Sequence, residues 1–71
     1  MANATIDATE LTAEQIVDEA RDVVPDPEAW LETPNMFLSL RSPREMIDSG
    51  SQAERRLVWN LIESIKYGFF T

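Results

Sequence analysis

The stretch SQAERRLVWNLIESIKYG, residues 51–68, decides the fold. Leu57, Val58, Leu61, Ile62 and Ile65 recur at three- and four-residue spacing, which places them on one face of an α-helix. Ser51 and Glu54 precede that stripe at the spacing of a capping box, in which each side chain satisfies a backbone N–H near the other. Lys66 falls in the last turn, where the helix dipole favours a cation, and Gly68 supplies the stop. Trp59 lies at the edge of the stripe, aligned with Ile62 and Lys66. It either completes the core or anchors an interface, since tryptophan is enriched at interaction hot spots.

The same helix punctuation recurs upstream. Thr12 and Gln15 form a second capping-box pair, with Leu11 and Ile16 at the two staple positions around it. Ile16, Val17, Ala20, Val23 and Val24 continue one helical face, and Pro25 turns Val24 away from helical geometry. Asp26 and Pro27 start a second helix as cap and first residue, with Glu28 in its first turn and Trp30 and Leu31 as its apolar side chains. Pro34 stops it. Ser42, Pro43 and Glu45 open another helix with a third capping box; Met46 and Ile47 face inward, and Gly50 ends it. Between them, residues 33–41 carry Met36, Phe37, Leu38 and Leu40, and are expected to form a single helical turn packed on the core. No stretch alternates with period two over the length of a strand. The local signals agree on an all-α fold, a small bundle of about four helices with a short connecting turn.

The chain has 71 residues, so it holds one small domain. The expected division is a flexible lead-in over residues 1–10 and a single helical domain over 11–71. Domains of this size rarely gain more than about 3–5 kcal/mol from their core without a staple or a partner. Cysteine and histidine are both absent, which excludes disulfides, Cys/His zinc sites and histidine-assisted nucleophiles. Neither a phosphate-binding glycine loop nor a calcium loop is present, so the chain reads as a non-enzyme that takes no cofactor and no metal. The net charge is −7, and it is uneven. Residues 1–32 hold nine acids and one base; residues 33–71 hold four acids and five bases. An acidic first half repels phosphate backbones, which argues against direct nucleic-acid binding. Arg41, Arg44, Arg55 and Arg56 make at most a modest basic face, and Glu45 and Glu54 are close enough to pair with it. No apolar run reaches the length of a membrane span and the N-terminus lacks a signal-peptide pattern, so the expected location is the cytoplasm. The chain closes in Tyr67, Gly68, Phe69, Phe70 and Thr71, and its two terminal phenylalanines must either fold back on the helices or enter a partner.

Residues 28–71 go further. They read Glu-Ala-Trp-Leu-Glu-Thr-Pro-Asn, then Leu38, then Arg-Ser-Pro-Arg-Glu-Met-Ile over 41–47, then Gly50 and a last helix closing in Tyr-Gly-Phe. This resembles the toxin-binding domain of Xre/MbcA/ParS-type antitoxins, with its Trp-Leu-x-x-Pro-Asn run, a leucine three residues on, and a Pro-x-x-Leu-Leu/Ile segment. Trp30, Leu31, Pro34, Asn35, Leu38, Pro43, Ile47 and Gly50 match as motif or structural positions, with Asn35 suited to capping a local turn. The resemblance implies a module that binds a cognate RES-domain toxin, an NAD-consuming protein, and covers its active site with the C-terminal region. Trp59, Tyr67, Gly68, Phe69, Phe70 and Thr71 are then the expected partner-binding residues. Two departures stand out. Where the family carries a glycine-containing pair after the leucine, this chain has Ser39-Leu40. Many members also carry an N-terminal helix-turn-helix, whereas here the acidic region before the motif has room for one helix; the expectation is a stand-alone short form. The alternative to a toxin-binding role is a self-associating or adaptor domain, in which a homo-oligomer buries Trp59 and the terminal aromatics.

Overall fold

The computed structural model describes residues 10–68. Four helices follow in order: α1 Ala13–Val23, α2 Pro27–Glu32, α3 Pro43–Asp48 and α4 Gln52–Lys66, with a 3-10 turn, Met36–Leu38, between α2 and α3. Phe69, Phe70, Thr71 and all but the last residue of the expected lead-in lie outside the described residues.

Each helix begins where its cap dictates. Thr12 accepts from the Gln15 N–H, and Gln15 accepts in return from the Thr12 N–H. Ser42 and Glu45 make the same reciprocal pair, with Pro43 at the first helical position. Asp26 accepts from the Ala29 N–H, with Pro27 behind it. These caps satisfy helix-end donors that would otherwise be unpaired, at about 1 kcal/mol each. The expected box at Ser51 and Glu54 is only half made. Ser51 accepts from the Glu54 N–H, but the Ser51 N–H donates to Ser49 Oγ, because the Glu54 carboxylate is held by Arg41 instead.

The core collects Ile16 and Ala20 from α1, Leu31 from α2, Leu38 from the 3-10 turn, Met46 and Ile47 from α3, and Val58, Leu61 and Ile62 from α4. Leu11 and Val24 close its ends. Ile16, Leu31, Ile47 and Ile62 are fully buried, each contributing roughly 1.5–3 kcal/mol through removal from water. The α4 stripe is narrower than its sequence. Leu57 is half exposed and Ile65 partly so. Leu57 sits about 100° from Val58 at the rim of the face, and Ile65 lies in the last turn, where packing partners run out.

The largest correction falls on residues 33–41. A single turn does form, but only Leu38 enters the core; Met36, Phe37 and Leu40 are 75%, 59% and 73% exposed. The reason is backbone geometry. Ser39 and Leu40 both adopt left-handed conformations, φ 59° and 67°, and an antiparallel bridge joins Asn35 to Arg41. The segment closes on itself as a knuckle, so three of its four large apolar side chains point out.

Two long-range ties set α1 and α4 running in the same direction. At one end, the Leu11 N–H donates to Gln52 Oε1 (2.7 Å), and the Leu11 carbonyl accepts from Gln52 Nε2 and Arg55 Nη1. Arg55 Nε also donates to the Ile47 carbonyl, capping α3. At the other end, Lys66 Nζ reaches Glu19 Oε2 at 3.1 Å.

Candidate partner-binding site

The C-terminal end of α4 is built by its cap. Tyr67 closes the helix, its N–H donating to the Glu63 carbonyl, and Gly68 follows at φ 76°, where a side chain is disfavoured. Tyr67 is largely exposed, with the Lys66 ammonium 5.6 Å from its ring centroid, within cation–π reach. Trp59 is half-buried and packs against the core from the edge of α4.

Beneath this end lies a charge cluster that local sequence patterns do not reveal. Glu19 of α1 faces Glu63 and Lys66 of α4. A hydrogen bond shared with Glu63, then one from Lys66, holds the Glu19 carboxyl below its ordinary range. The Glu63 carboxyl is pushed up, first by its bond to Glu19 and then by burial. Glu63 Oε2 is buried and, as a carboxylate oxygen, meets no donor. A proton on Glu63 lets that group donate to Glu19, which accounts for the opposite shifts. Lys66 is correspondingly held above its usual range by Glu19.

The second surface feature is the knuckle. Asn35 organises it: Oδ1 accepts from the Phe37 N–H at 2.8 Å, and its carbonyl accepts from the N–H groups of Leu38 and Leu40, both at 2.9 Å. The Asn35 N–H donates to the Arg41 carbonyl, and the Arg41 N–H to the Leu38 carbonyl. Five bonds within seven residues fix the tip. Its two flanks are ion-paired, Arg41 with Glu54 at 2.9 Å and Arg44 with Glu32 at 3.0 Å. Those pairs, with the structural use of Arg55, hold three of the four arginines of the expected basic face within the fold.

Residues 19–68 match the family model of the antitoxin Xre/MbcA/ParS C-terminal toxin-binding domain. The chain belongs to that family. It is a family of protein-binding domains, not of enzymes, and its partner is a protein toxin. No curated protein and no solved structure matched the chain. Among the described residues, no helix is long and apolar enough to cross a membrane.

Within this toxin-binding domain the motif positions are mostly structural. Leu31, Leu38, Pro43 and Ile47 are buried, and Trp30 is half-buried against the core. Pro34 is exposed and follows the end of α2; Asn35 caps the 3-10 turn as its residue type suggests. Gly50 takes φ 81° just past the end of α3. The motif therefore builds the turn and seats α2 and α3, while Tyr67 and Gly68 stand at the far end of α4, about 20 Å from its first turn. Gln52 and Arg55, which fix the entry to α1, carry no signal in the sequence, because their partner Leu11 is 41 and 44 residues away.

Proposed function

We propose that this antitoxin domain neutralises a RES-domain, NAD-consuming toxin by covering the toxin's active site with its C-terminal region. Membership of the antitoxin toxin-binding family carries the reading. Support comes from the exposed end of α4, where Tyr67 and Gly68 lead into a phenylalanine pair with an apolar character suited to a concave site. Inhibition of this kind needs no catalytic group on the inhibitor, only a surface that excludes the substrate.

Co-expression with a RES-domain toxin tests it. The full chain is expected to restore growth and cellular NAD, and a chain ending at Gly68 to bind the toxin but restore both less well. Full neutralisation by the shortened chain overturns the C-terminal mechanism. Failure of the full chain to bind any RES-domain toxin overturns the choice of partner.

A further inference from the structure

We propose that the knuckle Asn35–Arg41 is a second docking surface for the toxin, distinct from the C-terminal residues, and that it seats Met36 and Leu40 in an apolar pocket bordered by basic groups. The inference rests on the toxin-binding reading and adds where, and against what chemistry, the domain makes contact.

Three observations carry it. First, Met36 and Leu40 are about three-quarters exposed at the tip, with the half-exposed Phe37 between them. Large apolar side chains gathered on one rigid turn mark interaction sites more often than scattered ones. Second, the backbone holds Leu40 at φ 67° although that side chain gains no burial from it. A left-handed leucine is disfavoured, and burial of its own side chain does nothing to offset that cost. The five hydrogen bonds around Asn35 nonetheless keep the tip ordered, and a pre-ordered apolar tip loses little freedom on binding. Third, the charge pattern selects the partner. Thr33–Leu40 contain no charged residue, in a chain where 27% of residues are charged. Of the bordering groups, Glu32 and Arg41 are each paired within the fold. Burying the tip therefore strands no unpaired charge, and an uncharged pocket is its complement. The chain as a whole carries a net charge of −7, with Glu14, Asp18, Asp22 and Glu28 all exposed, so a partner complementary to it carries basic groups around that pocket. A second copy of this acidic chain meets the apolar requirement but not the charge requirement.

The surface lies apart from the C-terminus. Arg41, which closes the knuckle, is tied to Glu54 in the first turn of α4, while Gly68 follows its last turn. One partner of ordinary interface size spans both.

The test is calorimetric titration of the full chain against a purified, catalytically inactivated RES-domain toxin, with Met36→Ser, Leu40→Gly and a chain ending at Gly68 in parallel. Leu40→Gly is the informative variant, since glycine accepts φ 67° freely. It is expected to unfold at the same or a higher temperature than the parent while binding about tenfold more weakly, with Met36→Ser similarly weakened. A purely structural knuckle predicts unchanged binding by both variants. Wild-type affinity in both, with the full chain binding tightly, overturns the second surface and leaves the toxin reading intact. No binding by the full chain overturns both together. A dimer of the full chain in sedimentation that either variant dissociates assigns the surface to a second copy and also overturns the proposal.

Discussion

Ser39 and Leu40 occupy backbone that glycine fills without steric opposition. At Ser39 the exposed side chain makes no visible use of its position, so Ser39→Gly is expected to stabilise the domain by about 0.5–1 kcal/mol, read as a higher denaturation midpoint. The missing glycine pair was readable in the sequence, but its consequence was not. Residue type alone says that Met36, Phe37 and Leu40 are apolar and assigns them to the core; the 3-10 turn and the two left-handed residues that close it leave them outside. Asn35, by contrast, was readable in full, because its side chain acts two residues away. Glu63 lies at the other extreme, paired with a residue 44 positions earlier. Its raised carboxyl contributes stability below the ordinary glutamate range, and that contribution is lost as pH rises through the raised value. Glu19, held low, contributes above the ordinary range and loses its contribution as pH falls through its lowered value. From pH 7 down to about 4.5, Glu63 gains its proton first, so the parent's melting temperature should rise relative to Glu63→Gln. The glutamine keeps a donor toward Glu19 without titrating, so its own profile over that window should be flatter and its stability at pH 7 higher.

Helices are legible in this chain because their start signals are local. Thr12, Asp26, Ser42 and Ser51 each cap where their type and spacing indicate. The Ser51 box failed to close for a tertiary reason: Glu54 had a stronger partner in Arg41, a charged donor rather than a backbone amide. The α4 stripe shows the same limit. Periodicity identifies a face, but neighbouring elements decide how much of it is covered, and they leave Leu57 out. The tie between the start of α1 and the start of α4 is the strongest element-scale feature absent from the sequence pattern. Gln52 satisfies both the N–H and the carbonyl of Leu11, and Arg55 adds to the carbonyl while bonding the end of α3. Gln52→Ala leaves a part-buried amide unpaired and should cost about 1–3 kcal/mol, measured by chemical denaturation, with early loss of amide protection at Leu11.

At the scale of the molecule, the acidic character is concentrated in the first half of the chain, where α1 and α2 carry exposed carboxylates, and the second half is near neutral. Charge of one sign steers encounter with a basic partner and is screened by salt. Association with the toxin should therefore slow several-fold between low and physiological ionic strength, with the dissociation rate nearly unchanged; stopped-flow mixing measures both. The sequence marked the family through its motif and the bundle through its caps. Its expected partner-binding residues came through the family resemblance, because the motif residues are mostly those that hold the domain together, and contact with a partner leaves no periodicity in one chain.

The shared direction of α1 and α4 also has a practical consequence for labelling. Leu11 is fastened beside the first turn of α4, whereas Tyr67 closes its last, and fifteen residues of helix separate those poles by about 22 Å. A fluorophore at Glu10 and another at Tyr67 would therefore form a fixed molecular ruler. Energy transfer between them would report loosening of either fastening, and the probe at Glu10 would sit at the pole away from the C-terminal residues.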